Sequence, residues 1–224
     1  MPATRYDQFC ALARAAEILG ERWTLLLIRE LLLGPKRFSD LRARLDGISS
    51  SVLAERLARL ETEGIVRRTF LEPPAASVVY GLTDDGDALK PTVFELIRWG
   101  ARYLLPPRPG ERVEPDWMRL ALAAYARTGP APGRSFDIRI PHEHREVVLH
   151  VQGGPDGTSV TAGSAPADVT VRTDVYTVLG LMAGLIDPSE ALRRGQVRAE
   201  GDLTALSAFS QLFEVSREVD MQTI

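Results

Sequence analysis

Between Pro106 and Pro115 the chain reads PPRPGERVEP, with four prolines in ten residues. No helix or central strand runs through such a stretch, because proline fixes its own φ and has no amide to donate. The 224 residues therefore fall into two parts with different patterns. Residues 1–105 read as mainly helical with one hairpin, while residues 116–224 alternate strands and helices, with no repeat linking the two. The expectation is an α+β protein of two domains, 1–105 and 116–224, joined by a semi-rigid linker over 106–115. A composition of 45% hydrophobic and 25% charged residues is enough for two cores and unlike that of a disordered chain. No apolar run approaches the roughly 18 residues of a membrane helix, and the opening MPATRYDQF lacks the apolar centre of a secretory signal. A cytoplasmic location without membrane contact is expected. The lone Cys10 excludes an intramolecular disulfide and a multi-cysteine zinc site.

In the first half, FCALARAAEILG reads as a short helix, and WTLLLIRELLLG as a second one, apolar nearly all round and so buried. Gly34-Pro35 ends it. Ser39 is positioned to cap SDLRARL, and Ser49 to cap SSVLAERLARLETEG, where Leu53, Leu57 and Leu60 form one inward stripe. The opposite side of that last helix carries Ser51, Glu55, Ala58 and Thr62. IVRRTFL and SVVYGL then read as a hairpin with EPPAA at its tip. Thr83 caps a final helical region in which Leu89, Val93, Leu96, Ile97, Gly100 and Leu104 share a face, with a late start or kink expected near Pro91.

Short helix, tight turn, capped helix and two-stranded hairpin is the order of a winged helix-turn-helix. The second helix of such a pair buries one stripe and leaves the other side slim enough for a major groove about 12 Å wide. Ser49, Ser50 and Ser51 suit its leading end, where hydroxyls and amides meet phosphates and base edges, with Glu55 on the same outward face. Arg37, Arg56 and Arg59 are candidates for flanking phosphates, as are Arg67 and Arg68 on the hairpin. The formal charge of −3 hides an uneven distribution. Residues 1–105 hold 15 basic and 14 acidic side chains, and 106–224 hold 12 and 16, giving +1 and −4. Charge alone fits a solvated surface equally well, and winged helices also serve as protein-interaction modules.

Cys10, Leu19-Gly20, Arg22-Trp23-Thr24, the run RFSDLRARLDGIS, the leucine pattern that follows it, VVYGLTDDGDAL and Trp99-Gly100 together resemble the HxlR family of bacterial winged-helix regulators. The resemblance implies DNA binding by a homodimer whose first and last helices pack across a two-fold axis, on an inverted-repeat operator in double-stranded DNA. Val93, Leu96 and Trp99 are then interface residues; internal core is the other reading of Trp99. In some members a cysteine at the place of Cys10 senses oxidants. Here Ala11 follows where the family usually has proline, and a buried structural thiol is the competing reading.

The second half offers a helix in WMRLALAAYA, strands in SFDIRI, EVVLHV, TSVTAG, DVTVRT and QVRAEG, and three further helices. Of these, VYTVLGLMAGLI follows a cap at Thr173, and another starts at Asp187-Pro188-Ser189-Glu190. The third, DLTALSAFSQLFEV, reads as amphipathic. From Asp168 onward the order resembles the second half of the sterol carrier protein type 2 fold, with Gly195, Gly201 and Asp202 as its firmest points. That resemblance implies a small hydrophobic ligand held between helices and sheet. Leu179, Met182, Ala183, Leu185, Ile186, Phe209, Leu212 and Phe213 are candidate walls, and ordinary core is the other reading of each.

Catalysis finds little support. His142-Glu143-His144 follows Pro141 in a polar stretch, a poor metal site, so no metal and no cofactor is expected. No phosphate loop, dinucleotide fingerprint or nucleophile elbow is present. The sequence therefore reads as a non-enzymatic transcription regulator modulated by a hydrophobic ligand. The rival reading is a lipid carrier whose winged helix mediates protein contacts.

Overall fold

The computed structural model describes residues 5–74 and 76–215, in two compact units, Met1–Val93 and Phe94–Ile224. Unit one contains α1 (Ala11–Leu19), α2 (Thr24–Leu32), α3 (Phe38–Arg44), α4 (Ser50–Thr62), the antiparallel hairpin β1 (Val66–Leu71) and β2 (Ser77–Leu82), and the short α5 (Asp84–Asp87). Its core is a leucine cluster that draws Leu27 and Leu31 from α2, Leu41 from α3, and Leu53, Leu57 and Leu60 from α4. The predicted stripe of α4 is therefore the buried one. Lys36, just ahead of α3, pairs with Tyr80 of β2 through two backbone hydrogen bonds of 2.9 and 2.8 Å, which ties the hairpin to the helix-turn-helix.

Two local expectations change. Helix α3 begins at Phe38 rather than after Ser39, because the Asp40 carboxylate accepts the Arg37 amide at 3.2 Å and closes the turn two residues earlier. Helix α2 is not buried all round, since Leu25 and Leu26 are 37% and 42% exposed. Its inner side instead carries a fully buried carboxylate, Glu30. Arg29 Nη2 lies 2.8 Å from one Glu30 oxygen and Arg44 Nε 3.3 Å from the other, and Lys36 Nζ donates to the Glu30 carbonyl at 2.8 Å. The Glu30 carboxylate thus links α2 to α3, and its backbone carbonyl holds the loop between them through Lys36.

Unit two begins within α6 (Lys90–Gly100), where Pro91 sits in the first turn and its missing amide costs nothing. It continues with α7 (Met118–Tyr125), β3 (Ser135–His142), β4 (Arg145–Gly154), β5 (Gly157–Ala162), β6 (Val169–Arg172), α8 (Val175–Met182), α9 (Pro188–Arg193) and β7 (Arg198–Gly201). The sheet order is β5-β4-β3-β6-β7, with β3 and β6 parallel and the other pairs antiparallel. Strand alternation puts Phe136, Ile138 and Ile140 of β3 beside Val147, Leu149 and Val151 of β4 in one core with the helices.

The cap of α8 is Asp174, whose carboxylate accepts the Thr177 amide at 2.9 Å. Thr173, expected in that role, instead donates its hydroxyl to the Gln196 carbonyl at 2.7 Å. The last helix is a 3₁₀ helix, Leu203–Leu212, rather than an α-helix. Its buried Leu206, Phe209 and Leu212 recur every three residues, the period of that winding.

Asp137 of β3 and His150 of β4 are directly paired in register on the other side of the strands, and both are buried. His150 Nδ1 is 2.8 Å from Asp137 Oδ1, the Ser164 hydroxyl donates to Oδ2, and the Ala165 amide reaches Oδ1 at 3.4 Å. Burial pushes the Asp137 pKa up, but the hydrogen bonds from Ser164, His150 and Ala165 outweigh it, and the net shift is downward from the usual 3.8.

Two predictions follow from these buried acids. Glu30→Ala leaves two arginines without their carboxylate and should lower the stability of unit one by about 3 kcal/mol in urea unfolding; a loss below about 0.5 kcal/mol would show the cluster to be idle. For Asp137, a depressed folded pKa means that its stabilisation is present above the unfolded pKa and is lost as pH falls through the folded one. Asp137→Asn should therefore destabilise the protein at pH 7 and flatten the decline of stability below about pH 4, and an unchanged acid limb would contradict the assignment.

Candidate functional site

Helix α4 presents its N-terminal end outward. Ser49 accepts the Val52 amide at 3.2 Å, its Oγ lies 3.0 Å from Ser51 Oγ, and Ser50, Ser51, Ala54, Glu55 and Ala58 are exposed. Small side chains over two turns leave this face narrow. Arg67 and Arg68, on β1, are exposed, and Phe70 and Leu71 nearer the hairpin tip are 58% and 39% exposed. Arg37 is also exposed, with Nε donating to Ser77 Oγ at 3.1 Å. These residues form a surface of helix end, hairpin and cations. Exposed Arg42 of α3, which the sequence reading passed over, adds a further cation.

Arg56 and Arg59 are placed differently. Both guanidinium groups ion-pair with Glu21 in the turn between α1 and α2, and Arg59 also donates to the Glu17 carbonyl. Their side chains are only 16% and 18% exposed. The two arginines expected on phosphates brace α4 against the α1–α2 turn inside the domain. Sequence spacing gives no sign of this, because Glu21 lies 38 positions from Arg59. Arg59→Ala should accordingly lower stability by about 2 kcal/mol, as loss of hydrogen bonds from a charged group does. Retention of wild-type stability in a denaturant titration would return Arg59 to the surface role.

On α6, Val93 is buried, whereas Leu96 and Trp99 are 42% and 57% exposed. Trp99 packs on Tyr103 with ring centroids 5.2 Å apart, and Phe94, Ile97 and Ala101 turn toward the core of unit two. Trp99 is thus not internal core. Around α1, Tyr6, Phe9 and Leu12 are exposed, and so is Cys10. The expectation of a buried thiol is corrected: Cys10 precedes the first turn of α1, where its side chain makes no capping bond and meets solvent.

The candidate walls in unit two separate into groups. Met182, Phe209, Leu212 and Phe213 fill the core, where Phe209 stacks edge-on with both Phe136 and Phe213 at 5.2 Å. Ile186 occupies the space left by Gly180, where a Cβ would collide with it, so that glycine admits the protein's own side chain. Ala183 is half-buried and Leu185 is 55% exposed. The void beside Ile138, Val171, Leu181 and Phe209 measures about 10 Å³, too little for a ligand. A larger cavity, about 210 Å³, lies elsewhere, bounded by the stretch 104–114 and by Trp117, Met118, Ala121, Val175, Tyr176 and Leu179. Of the predicted walls, only Leu179 lines it.

That stretch is not a bare connection. Glu114 is 3% exposed and lies 2.6 Å from Arg145 Nη2 and 3.1 Å from Arg112 Nη2, while Arg145 also reaches Asp116 at 2.7 Å. The hydrogen bond that Arg145 donates to Asp116, added to the nearby carboxylates, raises the Arg145 pKa against burial. His142 comes within 3.9 Å of Glu114. Among the described residues no cluster of three or more acidic, histidine or cysteine side chains is arranged to hold a metal ion. Among them, too, no helix is long and apolar enough to cross a membrane.

Five helical segments around a leucine core, with a hairpin tied back to the start of α3, define a winged helix-turn-helix; the second half is a five-stranded sheet covered by helices. The model of the HxlR-like helix-turn-helix family matches residues 18–107, and that of the SCP-2 sterol transfer family matches residues 118–214. The uncharacterized HTH-type transcriptional regulator YvaP of Bacillus subtilis is 40% identical over 93 residues, covering 42% of this chain and 86% of that protein. The HTH-type transcriptional regulator YodB of the same organism is 39% identical over 92 residues, covering 41% and 82%. The solved structure of reduced YodB, 36% identical, covers 45% of this chain and 100% of its own with a TM-score of 0.39. The chain belongs to the HxlR-like helix-turn-helix family, and its second half carries the sterol-carrier match.

Proposed function

We propose that this protein is a cytoplasmic, dimeric, DNA-binding transcription regulator of the HxlR type, with a second domain that makes it responsive to a hydrophobic ligand. The observation that carries the reading is the outward face of α4. Its exposed serines stand at a helix N-terminus, where amides and hydroxyls suit phosphate and base edges. Arg37, Arg67 and Arg68 flank it as solvent-facing cations, and the Glu21 brace on Arg56 and Arg59 fixes the helix that carries it. The family relatives named as transcriptional regulators support the same reading.

Dimerisation is supported by exposed apolar surface just before the first family match and near its end. Tyr6, Phe9 and Leu12 around α1, and Leu96, Trp99 and Tyr103 on and after α6, are too large and exposed a set for an isolated subunit. A second copy of the chain is the occupant we assign to them. The protein acts by binding rather than by catalysis. Cys10 is exposed, which gives access and not reactivity.

Selection from a random duplex pool tests the reading. The expected product is an inverted repeat with half-site centres roughly 34 Å apart, bound by two chains. Ser51→Arg, which adds bulk where the helix enters the groove, should change or abolish the selected sequence. A chain that remains monomeric and enriches no sequence overturns the proposal, and an unchanged operator for Ser51→Arg overturns the placement of the reading face.

A further inference from the structure

The space between the helices and the sheet of unit two is filled by the protein's own side chains, as Phe209, Leu212 and Ile186 demonstrate. The cavity of about 210 Å³ has a different origin. One wall comes from α7 and the residues just before it, one from the start of α8, and the third from the proline-rich stretch 104–114, including Leu104 and Val113. Glu114, buried and held by Arg145 and Arg112, fastens one end of that stretch to the domain. The remainder bends at Pro106 and closes a tight turn over Arg108–Glu111, where the Glu111 amide donates to the Arg108 carbonyl at 3.1 Å and Gly110 takes a φ of 79°, and it covers the helices as an irregular strap without itself filling the space.

The lining states the ligand's chemistry. Trp117 and Tyr176 supply aromatic surface, and Met118, Leu104 and Leu179 supply deformable apolar contact. The charged groups at the rim are occupied with one another: Arg112 with Glu114, and Glu111 with the Arg108 amide at 2.9 Å. A neutral ligand therefore fits better than an ion. An apolar void of about 150 Å³ takes a single benzene ring, so this cavity has room for a compound of one or two fused rings.

From this we infer that the cavity between the strap 104–114 and helices α7 and α8 is a binding site for a small, neutral, aromatic compound, separate from the space that the sterol-carrier resemblance points to. The inference deepens the reading of the second domain as ligand-responsive and rests on it. The strap also covers the end of one family match, at residue 107, and most of the stretch before the other begins at 118. A bound ligand consequently restricts the very segment that joins them.

Titration calorimetry on the full chain, without DNA, tests the site, with 1-naphthol as the aromatic probe and 1-decanol, of equal heavy-atom count, as the linear one. 1-Naphthol should bind at least about tenfold tighter than 1-decanol, because the stacking surface and the compact volume favour rings. Ala121→Trp fills the cavity from α7 and should weaken 1-naphthol at least about tenfold. Tyr176→Ala changes a residue that is 46% exposed, which the fold tolerates, and should weaken 1-naphthol about threefold or more through loss of ring contact. Phe209→Leu, at the small void, should leave affinity within about twofold. The proposal is overturned if 1-naphthol does not bind up to its solubility, if 1-decanol binds as tightly, or if Ala121→Trp and Tyr176→Ala both bind like the unaltered chain. Operator selection needs no ligand, so failure here and failure of DNA recognition are read separately.

Discussion

Glu21 takes ion pairs from Arg56 and Arg59 of the same helix, and much of the first domain's geometry depends on that one carboxylate. A helix that reads DNA must present a fixed edge, yet α4 packs through a single leucine stripe, which resists displacement better than rotation. Two guanidinium groups bound one turn apart resist rotation as well. The Glu30 cluster does the equivalent for α2 and α3 from inside the core. Both devices use arginine, whose planar fork holds orientation where a lysine would hold only charge. In these two arginines, charge that looks available for DNA is committed to internal structure, and the outward potential is left to Arg37, Arg42, Arg67 and Arg68.

The second domain follows another logic. One side of its sheet is sealed by aromatic and aliphatic side chains, and the other carries the Asp137–His150 pair and the ion pairs of Glu146 with Arg139 and Arg172. A well-filled core leaves little room for a guest. Free volume arises instead where a chain that cannot be regular crosses regular elements, under the strap that Glu114 fastens.

Much of this was legible in the sequence. The leucine stripe of α4, its Ser49 cap, the hairpin, the Thr83 cap and the order of strands and helices in the second half all follow from periodicity and capping chemistry, which act within a few residues. What escaped was set by residues far apart in the chain. Glu21 meets Arg59 across 38 positions and Glu114 meets Arg145 across 31, and no local pattern carries such a pairing. The proline run signalled a break in regular structure, which is a statement about backbone, and said nothing about the side chains packed around it. The three-residue period of Leu206, Phe209 and Leu212 is present in the sequence, but over so few turns it is hard to tell from the 3.6-residue period of an amphipathic α-helix.

The central claim is that the leading end of α4 and the adjoining hairpin form the DNA-reading surface. Amide hydrogen exchange on the full chain, with and without the selected operator duplex, addresses it most directly. Added protection should concentrate in residues 49–58 and 66–71, with the sheet of the second domain unchanged. Protection that instead falls on the second domain, and leaves residues 49–58 as they were, would contradict it.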